Sequence, residues 1–99
     1  MTHIIYTRTD EKHELMLSGH AGYDVTGKDI VCSAISAVCY SLLGYIENYA
    51  SETSEYYASS GNVTITADRS PELDAVFDLT LIGLQQIHKQ YPKYIGFHV

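Results

Sequence analysis

Residues 29–49, with the sequence DIVCSAISAVCYSLLGYIENY, carry the most regular apolar pattern in this chain of 99 residues. Large apolar side chains recur at intervals of three and four residues, which places them on one face of an α-helix. The helix should begin after Asp29, whose carboxylate can accept a backbone N–H of the first turn. The pattern predicts an amphipathic helix over residues 30–49 whose core face comprises Val31, Ile35, Val38, Leu42, Tyr45 and Tyr49.

A β-hairpin is predicted on each side of this helix. Residues 3–8 and 14–18 are short apolar strands joined by the polar residues 10–12. The second hairpin turns at residues 60–62, where Gly61 and Asn62 tolerate the positive φ of a tight turn. Its strands comprise residues 56–58 and 63–66.

The last third of the chain predicts a second helix and a final strand. Ser70 is a natural N-cap and Pro71 suits the first helical position, while Pro92 ends the helix and residues 94–99 can form a strand. The apolar face of this helix includes Leu73, Val76, Phe77, Leu84 and Ile87. The element order ββαββαβ predicts a single α+β domain over residues 1–99, in which two helices pack on one mixed, largely antiparallel sheet.

Composition excludes several functional classes. A net charge of −6 argues against direct nucleic-acid binding, which needs a concentrated basic surface. The N-terminus lacks the apolar core of a signal peptide, and no stretch approaches the roughly 20 apolar residues of a membrane span, so a cytoplasmic protein without membrane contact is expected. Five histidines and two cysteines lack the close spacings of a zinc site. No metal or other cofactor is therefore expected.

Cys32 is the candidate nucleophile. It falls in the first turn of the predicted helix, where unpaired N–H groups and the helix dipole favour a thiolate. His20 lies at the end of the second predicted strand and can fold back to act as general base. Taken alone, a cysteine on an amphipathic helix more often serves packing, and a histidine at a strand end is usually a surface residue.

Neighbouring residues can support this pair. Gly22 and Gly27 lie in a glycine-rich loop that can move aside for a peptide. Ser36 lies one turn beyond Cys32, where it can hydrogen-bond near the sulfur or simply permit close packing. Asp29 can cap the helix or orient His20, and capping is favoured because a carboxylate beside Cys32 opposes thiolate formation. Cys39 is about 10 Å further along the helix axis, too far for a disulfide with Cys32, and is predicted to be a core residue.

Two segments of the sequence resemble a known family. Gly19-His20-Ala21 and residues 27–36, GKDIVCSAIS, are similar to the signature of the Prp family of ribosomal-processing cysteine proteases. The resemblance implies that His20 and Cys32 are the catalytic pair, and that Gly19, Asp29 and Ser36 support the site.

The same resemblance implies a substrate and an assembly. Prp proteases remove the N-terminal extension of ribosomal protein twenty-seven of the large subunit, and family members resemble homodimers. An acidic surface would attract a basic ribosomal protein whether or not the protein is cut. A non-catalytic module that docks on such a protein is therefore the alternative.

Overall fold

The predicted order of elements is confirmed. A computed structural model describes residues 1–25 and 28–99 of the chain. Its helices and strands are β1 (Thr2–Arg8), β2 (Lys12–Ser18), α1 (Ile30–Tyr49), β3 (Ser54–Ser59), β4 (Asn62–Asp68), α2 (Pro71–Gln90) and β5 (Ile95–His98). The strands of both hairpins are longer than predicted, since β2 begins at Lys12 and β3 at Ser54. A short 3₁₀ helix, Ser51–Thr53, precedes β3 and was not predicted.

The five strands form one sheet in the order β3-β4-β2-β1-β5. All neighbouring pairs are antiparallel except β1 and β5, which are parallel. The predicted mixed, largely antiparallel sheet is therefore confirmed. Alternate side chains of the central strands are buried on one face of the sheet, whereas Ile5 and Met16 on the opposite face are exposed. The buried set is Ile4, Tyr6, Leu15, Leu17, Ile65 and Ala67.

The buried face of α1 is rotated slightly from the predicted one. Its buried residues are Val31, Ile35, Cys39, Leu42, Leu43 and Ile46, so the prediction that Cys39 belongs to the core is confirmed. Tyr49 was predicted in this face but is 77% exposed. The reason is that the buried stripe runs through Cys39 and Ile46, while Tyr49 follows the border positions Val38 and Tyr45, which are only partly buried.

One helix among the described residues, α1, is long and apolar enough to cross a membrane by length and composition alone. The expectation that no stretch approaches this limit is therefore wrong for α1. In this fold the apolar side chains of α1 pack into the core of the domain, where Val31, Leu42 and Ile46 are at most 1% exposed.

A hydrogen-bonded network fills the end of the core near the β1–β2 turn. His13 is fully buried and its ring stacks on Phe77, with centroids 4.2 Å apart. Arg8 donates to the Tyr6 hydroxyl over 2.6 Å, and this hydroxyl lies 2.7 Å from Nδ1 of His13. Ionised Asp74 can only accept, so neutral His13 carries its proton on Nε2 and donates it to Asp74 over 2.7 Å. Nδ1 then accepts from the Tyr6 hydroxyl.

Burial keeps His13 neutral, and the hydrogen bonds from Arg69 keep Asp74 ionised. Burial lowers the pKa of His13 below its ordinary value of 6.5, although the hydrogen bond to Asp74 opposes this shift. The hydrogen bonds from Arg69 hold the pKa of the Asp74 carboxyl far below its usual range, and His13 adds to this effect. Protonation of His13 therefore favours the unfolded chain.

We expect the free energy of unfolding to fall as the pH drops from 7 through 6.5 toward 5. The folded pKa of His13 is depressed, so its contribution is complete above the unfolded value and is lost progressively as the pH falls toward the folded one. His13→Gln should flatten this dependence and lower the free energy of unfolding by about 1–3 kcal/mol at pH 7, because the glutamine amide replaces only part of the hydrogen bonds that the buried His13 ring makes. Urea unfolding at several pH values measures both effects. An unchanged pH slope in His13→Gln would contradict the assignment.

Candidate active site

Asp29 fixes the start of α1, and the prediction that it caps the helix is confirmed. Its Oδ1 accepts the backbone N–H of Cys32 at 2.9 Å, and the Ser33 hydroxyl donates to its backbone carbonyl at 3.0 Å. Cys32 is the third residue of the helix. The cap thus sets the backbone position of the candidate nucleophile.

The second carboxylate oxygen of Asp29 binds the preceding loop. Oδ2 accepts the backbone N–H groups of Tyr23 at 2.9 Å and of Asp24 at 3.4 Å. Burial alone would raise the pKa of Asp29, but backbone N–H groups, including that of Cys32, outweigh burial and hold the pKa below its usual value. Both oxygens therefore serve backbone donors in the described part of the chain, and the alternative in which Asp29 orients His20 is not observed.

The sulfur of Cys32 lies against the loop that follows His20. The backbone N–H of Ala21 is 3.2 Å from Sγ and donates a hydrogen bond to it. Cys32 is half-buried, whereas Ala21 is only 2% exposed. An N–H donor directed at the sulfur stabilises negative charge on it, and the first turn of α1 acts in the same sense. Backbone dipoles from two elements are therefore directed at the Cys32 sulfur.

His20 lines the same pocket as Cys32, and its ring lies against the tip of the β3–β4 hairpin. A Cβ built on Gly61 would lie 3.0 Å from Nε2 of His20, and Gly61 has a φ of +76°. The Gly61 carbonyl accepts the N–H of Gly19 at 2.7 Å. No hydrogen bond joins His20 to Cys32 within residues 1–25 and 28–99. The two residues therefore share a pocket but are not hydrogen-bonded to each other in the described part of the chain.

Three glycines were predicted to matter near this loop. Gly19 has a φ of +87°, and a Cβ there would lie 2.5 Å from the carbonyl oxygen of Met1, so only glycine fits without displacing the backbone. Gly22 has a φ of +74° but open space around it, so its backbone conformation alone favours glycine. Gly27 lies outside the described residues.

The described part of the loop is anchored at several points. Ala21 bonds Cys32, the N–H of Tyr23 bonds Asp29, and the Tyr23 ring makes edge-on contacts with Tyr91 and Tyr94 at centroid distances of 5.6 and 5.2 Å. The movement expected of residues 21–28 must break contacts of this kind, and it stays a prediction.

The pocket that holds His20 and Cys32 has a volume of about 340 Å³. Ser36 also lines it, one turn beyond Cys32, and its proposed hydrogen bond near the sulfur stays a prediction. The hairpin turn at residues 59–61 forms the opposite wall, which sequence reasoning did not connect with the site. The glycine in that turn signalled a positive φ, but only the folded sheet places Gly61 against His20.

Within the described residues, neither Cys39 nor a metal-binding cluster provides a second reactive site. Burial raises the pKa of the Cys39 thiol to about 11, so this thiol stays protonated. No group of three or more His, Cys, Asp or Glu side chains lies close enough to hold a metal ion in the part of the chain that the structure describes.

Removal of the Asp29 carboxylate should destabilise the domain. We expect Asp29→Ala to lower the free energy of unfolding by about 1–2 kcal/mol, because the cap is lost. Asp29→Asn is the matched control and should recover only the cap, because its amide oxygen can accept the N–H of Cys32 but its NH2 group cannot accept those of Tyr23 and Asp24. Urea unfolding at pH 7 provides the measurement. Equal stability of Asp29→Ala and the unmodified protein would show that the cap contributes nothing.

Comparisons with known proteins agree with this geometry. The family model described as cysteine protease Prp matches residues 1–96. The ribosomal processing cysteine protease Prp of Mycoplasma genitalium is 30% identical over 81 residues, which cover 82% of each chain.

Solved structures show the same fold. The chain superposes on the essential ribosomal processing protease Prp from Staphylococcus aureus, in complex with a covalently linked product peptide, with a TM-score of 0.87 and 26% identity, covering 99% of this chain and 98% of the other. The S. aureus protease with a substrate peptide gives a TM-score of 0.76 and 25% identity over the same shares. This chain belongs to the cysteine protease Prp family.

Proposed function

We propose that this protein is a cysteine endopeptidase that removes the N-terminal extension of ribosomal protein twenty-seven of the large subunit during ribosome maturation. In this proposal Cys32 is the nucleophile and His20 the general base. The observation that supports it most is the 3.2 Å hydrogen bond from the Ala21 N–H to the Cys32 sulfur, at a helix start whose pocket His20 also lines.

The chemistry divides into two steps. His20 accepts the thiol proton, and the Cys32 thiolate attacks the scissile carbonyl carbon to give a tetrahedral oxyanion. Collapse of this intermediate breaks the C–N bond, and His20 returns the proton to the leaving amine. Water, deprotonated by His20, then hydrolyses the thioester and releases the second product with the free thiol.

The oxyanion needs N–H donors that are not already committed. Asp29 accepts the N–H of Cys32 through its carboxylate and that of Ser33 through its carbonyl. The Ala21 N–H donates to the Cys32 sulfur in this structure. We propose it as the donor for the oxyanion, because this bond is released when the sulfur attacks the carbonyl carbon and the negative charge passes to the oxygen.

The proposed substrate and setting follow from the family and the charge. The curated relative from M. genitalium is named a ribosomal processing protease, and the net charge of −6 suits attraction to a basic ribosomal protein. A homodimer is proposed because members of the family resemble homodimers, and a cytoplasmic location is proposed with it. Sedimentation and cell fractionation test these two proposals.

A peptide spanning the cleavage point should be cut by the unmodified protein and stay whole with Cys32→Ala. His20→Ala should lower kcat/KM by about 10²–10⁴-fold, the usual contribution of a general base. Cys39→Ala is the matched control and should retain cleavage, because Cys39 is a core thiol. Chromatography of the products gives the rates. Equal cleavage by Cys32→Ala would refute the assignment of the nucleophile.

Thiol reactivity separates the protease from a docking module without catalysis. We expect iodoacetamide at pH 6.5 to modify Cys32 faster in the folded protein than in urea, because the Ala21 N–H and the first turn of α1 direct backbone dipoles at the sulfur that attacks the reagent. Cys39 should react only in urea, since it is 4% exposed with a raised pKa. Mass spectrometry locates the label. Cys32 reacting no faster when folded would favour the docking module.

A further inference from the structure

The strand β3 presents a free backbone edge beside the candidate active site. It is the outermost strand of the sheet on that side. Ser59 pairs with Asn62 across the turn at residues 60–61, so the backbone groups of Ser59, and by alternation those of Tyr57, point at β4. The backbone groups of Tyr56 and Ala58 consequently point away from the sheet.

The neighbouring ladder confirms this alternation. Arg69 donates its N–H to the carbonyl of Glu11, which fixes alternate residues of β4 toward β2. The residues between them face β3, and they include Asn62 and Thr64, the partners of Ser59 and Tyr57. Within the described residues, no backbone partner is found for the outward groups of Tyr56 and Ala58.

This edge lacks most of the features that usually prevent further pairing. Natural edge strands are commonly protected by charged side chains, especially lysine, by proline, by a bulge or by short length. Of these, β3 has only the charge of Glu55, whose backbone groups face β4. The sequence of β3, SEYYAS, contains neither lysine nor proline, and its six residues pair with β4 in unbroken register. The other edge strand, β5, has only four residues.

The same edge borders the pocket of Cys32. Ala58 and the turn at residues 59–61 line that pocket on one side, and α1 contributes Leu43 on the other. The side chains of Tyr56 and Ala58 lie on the face of the sheet that α1 covers, because their partners in β4 are the core residues Ile65 and Val63. A groove lined by Leu43 of α1 and Ala58 of β3 therefore leads from the strand edge to Cys32, and beyond Ala58 the Tyr56 hydroxyl donates to Glu47 of α1.

We propose that the substrate peptide docks as a sixth strand along the edge of β3, pairing its backbone with Tyr56 and Ala58. This inference rests on the proposed proteolysis and assigns its docking surface. Pairing satisfies alternate N–H and C=O groups of the extended peptide, and every second side chain enters the groove between α1 and β3. The peptide, rather than a second copy of this chain, is the occupant because the groove ends at Cys32 and His20.

Amide exchange provides the direct test. Cys32→Ala protein, which should leave the peptide whole, is saturated with the peptide used for the cleavage assay. Exchange of the Tyr56 and Ala58 amides should slow at least about tenfold as they enter hydrogen bonds. The Tyr57 amide is the internal control, because it is already bonded to β4 and should not change.

Kinetics with the unmodified active site provide the second test. N-methylation of alternate peptide residues should raise KM about fivefold or more, the worth of one backbone hydrogen bond, while methylation of intervening residues should leave it unchanged. Ala58→Pro removes one outward N–H at an edge, where proline is tolerated, and should also raise KM with little change in kcat. Tyr57→Ala, on the opposite face of the sheet, should leave KM unchanged.

The outcomes separate docking from proteolysis. Protection of Tyr56 and Ala58 without cleavage by the unmodified protein would retain the docking surface and reject the proposed function. Cleavage without protection, or an equal effect of every N-methyl group, would overturn the docking proposal. Protection that grows with protein concentration in the absence of peptide would assign the edge to a second copy and overturn it as well.

Discussion

The site depends on one buried carboxylate that gathers backbone N–H groups from two segments. Asp29, 6% exposed, binds Cys32 at the start of α1 and both Tyr23 and Asp24 in the preceding loop. A buried carboxylate is costly unless such donors surround it, so helix start and loop hold each other in place. The Ala21 N–H then meets the sulfur of Cys32. Asp29 therefore fixes the backbone position of Cys32, the candidate nucleophile, through contacts with backbone N–H groups.

Backbone conformations around the pocket are set by glycines in positive φ, for distinct reasons. At Gly19 the close approach of the Met1 carbonyl leaves no room for a Cβ, whereas at Gly61 the neighbour is the imidazole of His20. The hydrogen bond between Gly19 and Gly61 links the two turns. His20 is thereby held between the end of β2 and the β3–β4 hairpin, and its mobility is limited by both.

The buried hydrogen-bonded network and the pocket of Cys32 lie at different ends of the sheet. The network of Tyr6, His13 and Asp74 fills the end near the β1–β2 turn. His20 lies beyond the other end of β2, where the chain enters the loop, and Cys32 lies at the start of α1 in the same pocket. One histidine is thus fully buried and locked by two hydrogen bonds, and the other is exposed on a pocket. The buried network and the pocket of Cys32 are therefore separated along β2.

The sequence by itself determined the element order, the helix cap at Asp29 and the family motif around Cys32, because local periodicity, capping and short motifs depend on residues near one another in the chain. Only the tertiary structure decided that Tyr49 is exposed, that His13 is buried, and that Gly61 lies against His20. These outcomes depend on strand order, since β4 pairs with β2 across more than forty intervening residues. The candidate nucleophile could therefore be proposed from sequence, whereas the wall of its pocket and the free edge of β3 required the assembled sheet.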